Sequence, residues 1–271
     1  MLKIKVNKLL AKSKKSGERL MRIISFTNQK GGVAKSTSTI NAGAILGQMG
    51  RSVLVVDIDP QANTTVGLGI DAENLDSTIY ECLAAGTSLR EAVLKTQFKN
   101  VDIVPSNIRL ANAELEIASV IGRESILKDL VRESSLEYDY MLIDFPPSLG
   151  LLTINGLAAT GEVIIPIDAG LFSLVGISLL TKKIYEIKAK LNPSIKNVKV
   201  LLTRVDSRTN FSKTIKKSIE DIFGDNFFTT VIHQNVRISE AQSARKPVSY
   251  FDKNCRGTIE YTKLAKEIEK G

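Results

Sequence analysis

The sequence predicts an α/β protein built on a single doubly wound, mostly parallel sheet with helices on both faces. Three observations predict it. Six short runs rich in Val, Ile and Leu recur along the 271 residues, without the in–out alternation of a half-exposed strand. Helical patterns separate most of those runs. A turn rich in Gly and Lys, TNQKGGVAKSTSTIN (27–41), follows the first run and opens the first helix.

The elements follow in order. RIISFTN (22–28) reads as a buried strand, and the helix after the turn extends to about Gln48. SVLVVDID (52–59) is a second strand with an acidic end. VDIVPS (101–106) is the third, with a helical stretch after it from about Asn112 to Ser134. YDYMLIDFPPS (138–148), GEVIIPID (161–168) and VKVLLTRVD (198–206) are the fourth, fifth and sixth. Helical patterns occupy 173–190 and 210–223, and 258–269 closes the chain. Parallel strands covered on both faces put ligand chemistry at their carboxyl ends.

Nothing marks a second domain. The expected organisation is a basic N-terminal extension over residues 1–20 and one domain over 21–271. In the extension, Leu2, Val6, Leu9 and Leu10 have helical spacing, which permits an amphipathic helix; a disordered tail fits as well.

An apolar fraction of 43% suits a soluble domain with a sizeable core, and no run approaches the ~18 apolar residues that span a bilayer. Lysines interrupt the N-terminal apolar residues and break the block a secretory signal requires. Cys82 and Cys255 lack metal-site or disulfide spacing, which points to a reducing cytoplasm. Charge is segregated: residues 1–22 carry a net +7, residues 23–181 a net −8 and residues 182–271 a net +9. Two basic ends suit a polyanion-facing surface, although solvated lysines on exposed helices explain the charge equally well.

The Gly–Lys turn fails the usual phosphate-loop pattern, a glycine, four residues and then Gly-Lys-Ser/Thr. Counting back from Lys35-Ser36, the required glycines fall on Ala34 and Gln29. Its place after a buried strand and before a helix is nevertheless that of a phosphate binder. Gly31 and Gly32 let the backbone approach an anion, Lys35 can neutralise phosphate oxygens, and the Ser36 hydroxyl can ligate Mg²⁺. Asp57 and Asp59 end the second strand, where they could also merely cap the strand and the turn into Pro60. Asp144 ends the fourth strand, in front of Pro146-Pro147-Ser148.

Lys30-Gly31-Gly32-Val33-Ala34-Lys35-Ser36 resembles the deviant Walker A motif, KGGxxK[ST], of the ParA/MinD family of P-loop ATPases. Ala34 departs from the glycine commonest there. VVDIDPQANTT and MLIDFPPSLG resemble the family's switch I and switch II segments. The resemblance implies ATP and Mg²⁺ as cofactors, with Lys30, Gly31, Gly32, Val33, Ala34, Lys35, Ser36 and Thr37 holding the nucleotide. It implies Ser36, Asp57 and Asp144 around the metal, Asp57 through water. It gives catalytic parts to Lys35, to Asp59, which would position the attacking water, and to Lys30, which would reach the partner subunit's nucleotide.

LLTRVDSRTN (201–210) and the stretch from 231 to 268 resemble the ParA/Soj partition branch. That implies an ATP-state homodimer, non-specific DNA binding through Arg208 and Arg237, and hydrolysis stimulated by a ParB-like partner at a cytoplasmic, nucleoid-associated location. Thr203 and Asp206 would lie in the base-recognition loop, and the 232–236 loop would close over adenine. His233-Gln234 and Gln242-Ser243-Ala244-Arg245 depart from the branch's usual residues. The alternative is a MinD-like membrane-associated positioning ATPase, but the end IEYTKLAKEIEKG makes a poor membrane face. A metal-cluster carrier lacks its cysteine pair. A sequence-specific repressor lacks room for a DNA-reading domain before the first strand.

Overall fold

The apolar runs become strands, and the Gly–Lys turn sits at their carboxyl edge. The structure, a computed structural model, describes residues 20–170, 173–206 and 210–271. The proposed extension therefore lies, except for Leu20, outside the described residues, as does Arg208.

β1 (Arg22–Phe26), β2 (Val53–Asp57), β3 (Leu94–Lys95), β4 (Val101–Val104), β5 (Tyr140–Asp144), β6 (Glu162–Asp168) and β7 (Asn197–Thr203) form one sheet. Their order is β3-β4-β2-β5-β1-β6-β7. All neighbours are parallel except β3, which runs antiparallel to β4. The six longer strands are the six apolar runs. β3 is an unanticipated two-residue edge, with exposed Lys95 of the kind that blunts further pairing.

Successive side chains point to opposite faces of a strand, and both faces are apolar here. Val53 and Val55 of β2 join one buried cluster, Leu54 and Val56 the other. On the first face lie α1 (Lys35–Gln48) and, from the end of the chain, α10 (Val236–Ser243), α11 (Val248–Phe251) and α12 (Arg256–Lys270). The second face is covered by α3 (Ile79–Ala85), α4 (Leu89–Ala92), α5 (Leu110–Glu116), α6 (Ile126–Glu133), α7 (Leu151–Ala159), α8 (Ser173–Lys190) and α9 (Asn210–Phe223). The short α2 (Asn63–Gly67) follows the acidic end of β2. α1 lies against the sheet so closely that a Cβ on Gly47 would sit 2.4 Å from the Lys99 carbonyl. Glycine is required there by contact.

One expectation needs correction. The helical stretch from 112 to 134 is not continuous: α5 ends in a 3₁₀ turn at Ile117–Ser119, and α6 starts at Ile126. Gly122 between them adopts φ +77°, a left-handed turn that an α-helix cannot contain. Each half has helical periodicity, but the break comes from a glycine that can serve either state.

Candidate phosphate-binding site

Sheet register assembles the site. Asp144, the last residue of β5, stands opposite Phe26 of β1 and opposite Asp57 of β2. Adjacent strands lie about 4.8 Å apart, so the two aspartates sit side by side where the chain leaves β1 for the Gly–Lys loop.

In that loop Gly32 has φ +74° and Ala34 has φ +65°, both left-handed. Glycine takes this shape freely, whereas alanine bears about 1–2 kcal/mol of strain. Left-handed residues among right-handed ones turn successive N–H groups into one concavity, and Ala34 is also the N-cap of α1, whose dipole adds positive potential. The loop is braced from three sides. The Thr203 hydroxyl, at the end of β7, lies 3.0 Å from the Val33 carbonyl and 2.9 Å from that of Ile167. Arg204 donates to the Gly32 carbonyl at 2.7 Å. Asn28 accepts from the Lys30 amide at 3.0 Å and donates to the Pro166 carbonyl at 2.7 Å. Val33 is fully buried beneath the loop.

The charged groups of this pocket are underused. Lys35 is buried, and its ammonium makes one long hydrogen bond, 3.4 Å to the Lys30 carbonyl. Burial lowers its pKa, and the carboxylates of Asp144 and Asp59 oppose that. Asp144 is fully buried; its Oδ2 accepts from the Thr64 hydroxyl at 2.8 Å, but Oδ1 has no hydrogen-bond partner. Burial raises its pKa, and the Thr64 hydroxyl, which favours the anion, opposes that. A buried ammonium with one weak bond and an orphaned carboxylate oxygen are costly unless an anion and a cation complete them. The donor set fits a phosphate group with Mg²⁺, which uses one or two carboxylates and keeps waters and phosphate oxygens for the rest. Among the described residues no self-contained cage of three metal-binding side chains exists.

A cleft of about 600 Å³ opens above these groups and is lined by Gly31, Gly32, Ala34, Lys35, Ser36, Thr37 and Asp59. Asp59 accepts from the Gln61 amide at 3.0 Å; burial raises its pKa, while the Gln61 amide and Lys35 lower it. The opposite wall contains Ile232, His233, Gln234 and Asn235. Asp57 is brought close yet stands behind the cleft. Its Oδ1 accepts from the Asp59 amide at 3.1 Å, and its Oδ2 from the amide and hydroxyl of Thr65 at 2.9 and 2.8 Å. Burial, then Asp144, raises its pKa.

Two predicted residues lie apart from the cleft. The Lys30 ammonium turns away to Asp168 at the end of β6. Arg237, on α10, bonds Glu240 at 2.8 Å and lies 3.4 Å from Asp252. Thr203 serves the loop's backbone. Arg204, Thr64, Gln242, which donates to the Thr37 hydroxyl at 2.7 Å, and Tyr261, 3.2 Å from the Ser38 hydroxyl, are contributions that sequence reasoning missed. Only Thr64 carried a local signal, standing in the QANTT string after Asp59.

A family model described as an AAA domain matches residues 21–197. The sporulation initiation inhibitor protein Soj of Bacillus subtilis is 42% identical over 247 residues, covering 91% of this chain and 98% of Soj. This chain belongs to the ParA/Soj family of partition ATPases. The chromosome partitioning protein ParA of Myxococcus xanthus is 41% identical over 249 residues, covering 92% of this chain and 88% of that protein. Among solved structures, cobyrinic acid a,c-diamide synthase from Mycobacterium smegmatis with bound ADP and magnesium aligns with a TM-score of 0.81 at 31% identity, over 93% of this chain and 95% of that one. The loop, the acidic end of β2 and Asp144 meet at one edge of the sheet. No helix among the described residues is long and apolar enough to cross a membrane.

Proposed function

We propose that this chain is an ATP-hydrolysing DNA partition protein that dimerises on ATP, binds DNA non-specifically and releases it after hydrolysis stimulated by a ParB-like partner. The observation that carries the reading is the pairing, in one buried pocket, of the underused Lys35 ammonium with the orphaned Asp144 oxygen.

Ser36 and Asp144 would hold Mg²⁺, with Asp57 acting through water, and the ion when bound would supply positive charge to the phosphates. The loop amides from Gly31 to Thr37 bind the phosphates, and Lys35 neutralises the charge that grows on them. Asp59 orients the attacking water, a task that needs position more than basicity. Lys30 contributes across the dimer seam to the second copy's triphosphate. Exposed apolar side chains support a second copy: Ile108, Leu115 and Ile121 are 68, 79 and 100% exposed around α5. Glu114 ties that helix to the start of α7, just after the switch II segment, through the Leu152 amide at 2.9 Å.

Only the ATP dimer brings basic surfaces of two copies together, so nucleotide and DNA binding are linked. Arg208 and Arg237 contact phosphates, Arg237 by exchanging Glu240 and Asp252 for DNA. Such contacts carry no base information and weaken with salt. The test is light scattering with saturating Mg²⁺ and a hydrolysis-resistant ATP analogue. A twofold rise in mass is expected, and loss of it in Lys35→Ala. A wild-type chain that stays monomeric refutes the reading.

A further inference from the structure

We infer that the groove between α12, the 229–233 segment and Lys216 of α9 is a second contact surface for the sugar–phosphate backbone of duplex DNA. The inference rests on the DNA-binding reading above and locates a surface whose described lining does not include Arg237.

The groove encloses about 810 Å³ and is larger than the nucleotide cleft. Lys216, Arg256, Lys263, Lys266 and Lys270 line it against two carboxylates, Glu260 and Glu267, so its wall is net positive. Both carboxylates are engaged within the groove wall, Glu260 by Arg256 among others, which leaves the lysines of α12 unneutralised. Glu267 accepts from the amides of Thr229 and Thr230 at 3.0 and 2.8 Å and from both of their hydroxyls. Glu260 accepts from the amide and ring of His233 at 2.8 and 2.7 Å and from Arg256 at 2.7 Å. Lys263, Lys266 and Lys270 are exposed, and no carboxylate among the described residues pairs with them. Arg237, by contrast, is already neutralised by two carboxylates.

Spacing makes the lysines a line. Lys263, Lys266 and Lys270 recur on one face of α12 and at 1.5 Å per residue cover about 10 Å, extended to about 21 Å by Arg256, which Glu260 already pairs. The line of unpaired lysines matches about three base pairs of duplex, whose charge density is about one phosphate per 1.7 Å of axis. A flat anionic membrane fits less well. The wall is concave, and Ile259 is its one apolar residue of α12, with no aromatic beside it. His233 lines both groove and nucleotide cleft, which joins the two sites through one wall.

The experiment uses the full chain with Mg²⁺ and a hydrolysis-resistant ATP analogue. It reads fluorescence anisotropy of a mixed-sequence duplex across a salt series. Replacing Lys263, Lys266 and Lys270 together by Gln is expected to weaken binding at least about tenfold near 0.1 M salt, and to lower the log–log salt slope by about three. ATP-dependent dimerisation, measured on the same samples, should be unchanged and reports that the variant is folded. Wild-type binding with an unaltered slope in the variant overturns the groove while sparing the DNA reading. Wild-type failure to bind DNA in any nucleotide state overturns both. Lysine-dependent flotation on phosphatidylserine–phosphatidylcholine vesicles, with the DNA slope unchanged, would reassign the groove to membranes.

Discussion

The Lys30 ammonium lies 2.9 and 2.6 Å from the two carboxylate oxygens of Asp168, within its own chain. The same cation is the one proposed to cross to a second copy. It cannot serve both partners at once, so the intrachain pair competes with dimerisation. The pair is partly solvent-exposed and such pairs contribute about 0–1 kcal/mol, so the competition is modest. Asp168→Asn should therefore increase the fraction of dimer at sub-saturating ATP analogue by up to about fivefold, while Lys30→Ala should abolish the dimer. Sedimentation of both variants decides it; an Asp168→Asn protein that dimerises less well would make the pair a support for the site.

Asp59→Ala separates binding from turnover. The Asp59 side chain lines the cleft, and its recorded hydrogen bond from the Gln61 amide lies within the same turn. The variant should keep ATP-dependent dimerisation and DNA binding while phosphate release falls at least about a hundredfold, the lower range for a lost acid–base or orienting group. Failure to dimerise would show that Asp59 shapes the turn.

Ala34 is strained, which makes a prediction about stability. At φ +65° alanine carries about 1–2 kcal/mol, and glycine at the same place returns about 0.5–1 kcal/mol through unfolded-state entropy. Ala34→Gly should then stabilise by about 0.5–1 kcal/mol and raise Tm by about 2 °C. A calorimetric Tm that falls would mean that the alanine methyl packs favourably against the loop.

How much of this was legible in the sequence follows from what each residue's role depends on. Val, Ile and Leu runs reveal strands because burial on both faces removes alternation, and all six longer strands were found. The capping box of Thr78 and Glu81, visible as Thr-x-x-Glu, would have revealed α3. α7 hides because Leu152, Leu157 and Ala158 are buried together with Thr153, Asn155 and Gly156, which leaves no amphipathic stripe. At the site, Gly31 to Thr37, Asp59 and Asp144 stand out in the sequence because each falls in a short contiguous string at or just after the end of an apolar run. The braces from Thr203, Arg204 and Asp168 do not, since each lies more than 130 residues from the loop residue it holds. Sheet pairing alone brings them there.

The buried carboxylates give the last prediction its sign. Asp144 and Asp57 both have raised pKa values, burial being the first cause in each. The folded chain therefore binds protons more tightly than the unfolded one across the window from the ordinary value of 3.8 up to the raised values. Where the native state holds more protons, stability falls as pH rises. Their contribution is thus fully present below the ordinary carboxylate range and lost as pH climbs through the raised values. Nucleotide-free protein should show a Tm that decreases between about pH 5 and 8 more steeply than in Asp144→Asn, whose amide does not titrate. Mg²⁺ with nucleotide should offset the loss in the wild type, because binding to the native state alone stabilises it, and should do so far less in the variant. Thermal scans of both proteins at several pH values, with and without Mg²⁺–ADP, measure all four slopes. Parallel pH profiles for wild type and Asp144→Asn would show that Asp144 stays ionised in the folded chain.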